Sequence, residues 1–387
     1  MSTCSIPIGP FHPALKESLF IRLEVEGERV VGADLKTGYF HRGIEWLASR
    51  RTFHQVIFLC ERVCGICSDA HATACTQTIE DLLDVEPPER AKYLRALVAE
   101  LERLHSHFLW FGVALHLIGF DTAFMHAWRD REVVMRVLEA VTGKRVNYAY
   151  PTIGGVRRDL TPKLAKFVEA QLVEIERAAE RLKETVVNDR MIRARVAEVG
   201  VLTKEDAKKL CVVGPTARGS GIDIDVRKDD PYANYDKLEW SVPVFDQGDV
   251  LAKTLVRLME IFESIKMIKQ ILKDIPEGPI MAEEIKEPVK GKEVFDRVEA
   301  PRGELFYYMR SNGTNIPERV RIRTPSVANN HSVPVMLIGY NIADAPIIFA
   351  SIDPCIACTD RVEVVNVKNG SVKYVTLEDL ARRRVML

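Results

Sequence analysis

Glu61-Arg62-Val63-Cys64-Gly65-Ile66-Cys67-Ser68-Asp69-Ala70-His71 and Asp353-Pro354-Cys355-Ile356-Ala357-Cys358-Thr359-Asp360-Arg361 are the two stretches that decide the reading. Each holds a C-x-x-C pair, a turn that brings two sulfurs close enough to grip one metal. Most of the 387-residue chain lies between the pairs, so one four-thiol site forms only if the fold returns Cys355 and Cys358 to Cys64 and Cys67. Three readings of these thiols stand open. The first is inert core cysteine, since free Cys is among the most buried residue types. The second is structural zinc, which favours closed four-cysteine tetrahedra. Such zinc pairs usually lie within a few tens of residues, which counts against this reading. The third is a redox metal centre at a seam between lobes, because soft thiolates suit nickel, iron and copper as well as zinc.

Composition restricts the function classes. Lys and Arg number 54 against 55 Asp and Glu, for a net charge of −1. No basic excess supports binding to nucleic acid or to an anionic membrane. Hydrophobic residues at 47% and charged residues at 28% fit a globular protein. No charge-free apolar run reaches the roughly 18 residues that a spanning helix needs. Residues 1–7 lack the charged and apolar regions of a signal peptide. The expectation is a cytoplasmic protein with no direct membrane span and, in that reducing setting, no disulfide framework. The other four cysteines, Cys4, Cys60, Cys75 and Cys211, have no cluster spacing and read as packing thiols.

Outward from the two pairs, the chain reads as four parts. Residues 1–45 form a β-rich lobe, with alternation over Leu19–Glu26 and a turn at Gly27 before Val30 and Val31. Residues 46–275 form a helical body. Pro87-Pro88 opens a helix whose apolar residues, Leu94 to Leu115, recur at steps of three and four over about 40 Å. Thr161-Pro162 supplies an N-cap and a first-turn proline for a second long helix. A third begins near Asp249 and ends at Pro276. Residues 276–361 form a mixed lobe: a charged surface connection to about residue 300, then a strand-like run at Val335–Ile338. Residues 362–387 form a tail with a hairpin across Lys368-Asn369-Gly370 and a short helix capped by Thr376.

In this order, R-x-C-G-x-C-x-x-x-H and D-P-C-x-x-C-x-x-R resemble the two signatures of the nickel–iron hydrogenase large subunit. Gly9-Pro10-Phe11-His12-Pro13-Ala14-Leu15-Lys16-Glu17 is similar to the opening motif of the membrane-bound, energy-converting branch. Gly38–Glu45 and Gly214–Gly221 resemble blocks shared with the quinone-site (49 kDa) subunit of respiratory complex I. Ala300-Pro301-Arg302-Gly303 resembles the motif that places an arginine beside the active site. The implied fold is mainly α (α+β), a central bundle of long helices with small peripheral sheets.

The resemblance implies a Ni–Fe centre whose iron carries cyanide and carbon monoxide. Cys64 and Cys355 would be terminal nickel ligands, and Cys67 and Cys358 would bridge the metals. An open metal position with a nearby base can split hydrogen heterolytically. Arg302, buttressed by Asp353, would hold a fixed cation beside the centre, and its planar fork suits a cyanide ligand. Glu17 would be the first proton acceptor beyond the sulfurs. His71 would hydrogen-bond a bridging sulfur. Many hydrogen-uptake relatives carry Asp three residues after the equivalent of His105; Phe108 stands there.

The implied activity is hydrogenase: reversible interconversion of hydrogen with protons and electrons. No cysteines remain for an iron–sulfur wire, so an iron–sulfur small subunit is an expected partner. The branch adds complex I-like membrane subunits that couple electron flow to ion translocation, with this chain peripheral on the cytoplasmic face. The alternatives are a quinone or sulfur reductase subunit on the same scaffold, and a zinc-stapled structural subunit. The tail is either removed after Arg361 or retained as a folded extension.

Overall fold

The computed structural model describes residues 4–9 and 17–359, and the backbone of Val364–Val365 and Val372–Lys373. The N-terminal segment is a three-stranded antiparallel sheet of β1 (Cys4–Ile8), β2 (Phe20–Glu26) and β3 (Arg29–Lys36). The alternation in β2 has its expected cause: Ile21, Leu23 and Val25 point into the core. Glu26 pairs with Arg29 across the turn, where Gly27 takes a φ of 63°. Glycine adopts that left-handed conformation at little cost.

Six longer helices follow: α1 (Phe53–Glu61), α2 (Ser68–Leu83), α3 (Glu89–Leu117), α4 (Asp121–Thr142), α5 (Pro162–Asn188) and α6 (Val250–Asp274). Pro88 precedes α3, where a missing N–H costs nothing. Thr161 caps α5 by accepting from the Leu164 amide, and Asp249 caps α6 by accepting from the Ala252 amide. Helices α3 to α6 form the bundle: α3 packs on α4 and α6, and α5 packs on the same two. Leu94, Leu97, Leu101 and Leu104 of α3 are wholly buried. Each such side chain contributes roughly 1.5–3 kcal/mol.

A second antiparallel sheet, β4 (Glu293–Ala300), β5 (Gly303–Ser311) and β6 (Pro317–Arg323), lies against α2. Its inner face joins α1, α2 and all four motif cysteines in a hydrophobic cluster separate from the bundle core. The two C-x-x-C segments therefore meet where the β4–β6 lobe closes on the helical body. The result is the mainly α architecture expected, with small sheets at its edge.

Several local expectations are corrected. The charged stretch before residue 300 is not wholly a surface connection, because Glu293–Ala300 pairs in register with Gly303–Arg310. Val335–Ile338 is not a strand: Val333–Leu337 is a helix with Pro334 in its first turn. Val333, Met336 and Leu337 are buried at a helical spacing. Cys60 and Cys75 are packing thiols as read, but Cys4 and Cys211 are exposed. Cys4 is the first residue of an edge strand, and Cys211 sits in a turn at φ 51°. In the tail, Val364–Val365 pairs antiparallel with Val372–Lys373. The Thr376 cap and its helix lie outside the described residues.

Candidate metal centre

The first C-x-x-C pair is the link between α1 and α2. Cys67 is the N-cap residue of α2 and makes no side-chain cap. A carboxylate from α3 does that work instead: Glu102 accepts from the Asp69 amide at 2.5 Å and the Ala70 amide at 2.9 Å. It satisfies donors that every helix start leaves open. The second pair follows the helix Ala345–Ser351, which Asp353 ends with a left-handed φ of 51°. Asp tolerates that conformation better than most residues. The loop is then pinned from the short helix Pro325–Asn329. Ser326 Oγ accepts from the Cys355 amide at 3.0 Å, and Thr324 Oγ1 donates to the Cys358 carbonyl at 2.8 Å.

These supports bring the two pairs together. Cys355 Sγ lies 3.2 Å from Cys64 Sγ and 2.9 Å from Cys358 Sγ. Cys64, Cys67 and Cys358 lie within 4.8 Å of one another, and among the described residues they are the one group with metal-holding spacing. All four thiols are free and buried. Separations this short, well beyond a bonded S–S length of about 2.05 Å, gather sulfurs around a common centre. The donor set is all soft sulfur and fits a thiophilic metal. Cys64 Sγ also accepts from the amides of Ile66 and Cys67, both at 3.3 Å. Hydrogen bonds from Cys355, Cys358 and Cys67 hold the Cys64 thiol well below its usual pKa. One thiolate thus forms readily, as metal capture requires.

Arg302 is fully enclosed beside the sulfurs. Its Nε donates to the Asp353 carbonyl at 2.7 Å, its Nη2 to Asp353 Oδ1 at 2.8 Å, and its Nη1 to Ser106 Oγ of α3 at 3.3 Å. Burial alone would lower its pKa, but Asp353 and the Cys67, Cys355 and Cys64 sulfurs outweigh burial, so the charge is permanent. The strand start that carries it is pressed against Gly214. A Cβ on Gly214 would come 2.3 Å from the Arg302 carbonyl oxygen, and one on Gly303 would come 2.6 Å from the Gly214 nitrogen. Only glycine allows two backbones so close, which ties the block beginning at Gly214 to the arginine's placement.

Glu17 reaches the second loop, where its Oε2 accepts from the Ala357 amide at 2.5 Å. Burial pushes its pKa up, against the pull of that amide and of Arg302 and Arg42. His71 Nε2 lies 3.7 Å from Cys358 Sγ, and burial lowers the ring's pKa to about 4. Neither ring nitrogen of His105 bonds a sulfur: Nε2 meets the Ile66 carbonyl inside the first cysteine loop at 3.1 Å, and Nδ1 accepts from Arg131 at 3.0 Å. Phe108 is core. The structure therefore brings together Glu17, Cys64, Cys67, His71, Arg302, Asp353, Cys355 and Cys358.

Arg42 belongs with them and was not singled out by the sequence. Its guanidinium donates to the carbonyls of Arg62 at 2.9 Å, Val63 at 2.8 Å and Ala357 at 3.1 Å. One side chain thus bridges the loops of both pairs. Thr324 and Ser326 were also missed, although Thr-Pro-Ser is a helix-start signal that could have pointed to them.

Comparison with known proteins shows the family of the chain. The family described as "Respiratory-chain NADH dehydrogenase, 49 Kd subunit" matches residues 118–292 and 283–361. "Nickel-dependent hydrogenase" matches residues 42–171, which include the first pair. The chain belongs to the family that unites hydrogenase large subunits with the 49 kDa subunit of complex I. Within that family it is 41% identical over 365 residues to the carbon monoxide-induced hydrogenase of Rhodospirillum rubrum, covering 93% of this chain and 100% of the relative. It is 39% identical to the membrane-bound hydrogenase subunit alpha of Pyrococcus furiosus, covering 97% and 91%. In fold it matches a chain of the membrane-bound sulfane sulfur reductase, an archaeal respiratory membrane complex. That match has a TM-score of 0.87 and 33% identity over 93% of this chain and 98% of the other. Members of the family thus include oxidoreductases of more than one chemistry. Among the described residues, no helix is long and apolar enough to cross a membrane.

Proposed function

We propose that the chain is the catalytic subunit of a membrane-associated nickel–iron hydrogenase that interconverts hydrogen with protons and electrons. The observation that carries this reading is the convergence of Cys64, Cys67, Cys355 and Cys358 from opposite ends of the sequence into one buried set of sulfurs. Cys64 and Cys355 would hold nickel, and Cys67 and Cys358 would hold nickel and iron together. When bound, the centre, with cyanide and carbon monoxide on its iron, supplies the redox and Lewis-acid chemistry that polarises hydrogen.

The protein's own groups do the rest. Arg302 contributes a permanent cation at the sulfurs, oriented by Asp353 and Ser106. Its planar donors suit a cyanide nitrogen better than a lysine's point charge would. Glu17 carries protons between the site and the outside. Its pKa is raised by burial, which brings a carboxyl towards the range where it both gains and loses protons readily. The tight packing of the cysteine cluster keeps bulk water away from the thiols.

Electrons would leave through a partner. Among the described residues the four remaining cysteines form no metal-holding group. An iron–sulfur small subunit fills that need, and complex I-like membrane subunits would couple the electron flow to ion movement. The chain would then sit peripherally on the cytoplasmic face of the membrane.

Replacement of Cys64 or Cys355 by serine is expected to abolish nickel binding and hydrogen turnover. Nickel retained in both variants would overturn the assignment. A second reading, sulfur reduction on the same scaffold, is favoured by the likeness to the sulfane sulfur reductase. Polysulfide turnover without hydrogen turnover would support it. A quinone role leaves four clustered thiols without a purpose, and a structural zinc site would show as stoichiometric zinc without nickel.

A further inference from the structure

Behind Cys358 runs a line of buried polar side chains that the proposed chemistry does not use. His71 presents Nε2 to Cys358 Sγ and Nδ1 to the Tyr307 hydroxyl, at 3.7 and 2.7 Å. The Cys60 thiol lies beside the same hydroxyl and beside the Cys75 thiol. His71, Tyr307, Cys60 and Cys75 are all inaccessible to solvent. The two rings meet edge to face, with centroids 5.9 Å apart and planes at 75°.

A neutral imidazole has one N–H and one lone pair. A sulfur committed to a metal offers only lone pairs. For His71 to bond such a sulfur, its proton must therefore sit on Nε2. Nδ1 must then accept, and the Tyr307 hydroxyl is the group placed to donate to it. In the opposite arrangement, Nδ1–H would donate to the tyrosine oxygen and the phenol to Cys60. That would aim the Nε2 lone pair at the sulfur's lone pairs, which repel it. We propose that Tyr307 is a positioning residue: by donating to Nδ1 it holds His71 in the Nε2–H form and makes it a hydrogen-bond donor to Cys358. The inference rests on the metal-centre reading above. Burial keeps the phenol protonated and therefore able to donate.

An N–H···S bond draws charge from a bridging sulfur and so from the metals it joins. Releasing the tautomer should send that charge back. The test uses the whole membrane complex carrying Tyr307→Phe, which keeps the ring and removes only the hydroxyl. Nickel content should equal that of the unmodified protein. The infrared carbon monoxide and cyanide stretches should move to lower wavenumber. Cys60→Ala, which removes the competing partner of the hydroxyl, should leave the bands in place. Unshifted bands in Tyr307→Phe, with shifted bands in His71→Ala, would overturn the role of Tyr307 and leave the metal centre standing. Bands raised by Cys60→Ala would also overturn it, because the hydroxyl of the unmodified protein would then be donating to the thiol and leaving His71 without its Nε2–H bond to Cys358. Absence of the bands from the unmodified protein would overturn both the inference and the reading beneath it.

Discussion

Replacing Glu17 by glutamine separates holding the loop from moving a proton. The amide oxygen of glutamine can still accept from the Ala357 N–H, so the contact at 2.5 Å survives. Burial already favours the neutral form of this carboxyl, so an uncharged amide there loses little. The stability change should stay within about 1 kcal/mol, the scale of one ordinary hydrogen bond. Glutamine cannot take or give a proton at that atom. A positioned acid–base group contributes typically 10²–10⁴-fold, or about 2.7–5.4 kcal/mol of barrier. Glu17→Gln should therefore lose two to four orders of magnitude in hydrogen oxidation with an artificial acceptor, at unchanged nickel content and thermal midpoint. Glu17→Asp, one methylene shorter, should fall between. Full-rate turnover in Glu17→Gln, or activity lost only in step with nickel, would refute the relay.

Three further outcomes follow from the same geometry. Arg302→Lys keeps the charge but replaces a fork with three partners by a single ammonium. Losing one charge-assisted bond of about 1.5–3 kcal/mol predicts roughly a 10- to 150-fold slower turnover with nickel retained, measured on the purified complex. Arg42→Ala unties the two cysteine loops, and three carbonyl bonds worth about 1 kcal/mol each predict a lower melting temperature and reduced nickel occupancy. Unchanged values would deny Arg42 its bridging role. Asp296, raised to about 7 by burial and by nearby Asp81, binds a proton when folded that the unfolded chain has released by about pH 4. Its contribution is therefore complete below pH 4 and is lost as pH rises through 7, so Asp296→Asn should become the more stable protein above pH 7. The gain is up to about 4 kcal/mol and vanishes below pH 4, read by denaturation across pH.

The parts of the fold legible in sequence were those marked by local chemistry. Pro88, the Thr161 and Asp249 caps and the β2 alternation each act within a few residues of their effect. Helix α2 lies in the body read as helical, but its own bounds were not legible. All its residues but Gln77 and Asp81 are buried, including Asp69, His71, Thr73 and Glu80, so no apolar stripe marks one face. Some of its polar groups are matched by distant partners, as Glu80 is by Arg95 of α3 at 2.6 Å. Helix α4 begins after Phe120 without a side-chain cap. Val333–Leu337 is short and holds two β-branched valines, and its helix is decided by packing rather than propensity.

The site divides in the same way. The cysteines and Arg302 stand in recognisable motifs. Arg42 and Tyr307 act across the fold, joining segments hundreds of positions apart; Arg42 stands in the block Gly38–Glu45, but the block does not say which of its side chains bridges the loops, and nothing near Tyr307 marks it.

The central claim is that four thiols gathered from the two ends of the chain hold nickel and iron. Elemental analysis of the intact complex, with infrared spectra of the same sample, tests it most directly. The account predicts one nickel for each copy of this chain, iron beyond that of the partner's iron–sulfur clusters, and bands from bound carbon monoxide and cyanide. Stoichiometric zinc without nickel, or a metal-free chain in an active complex, would contradict it.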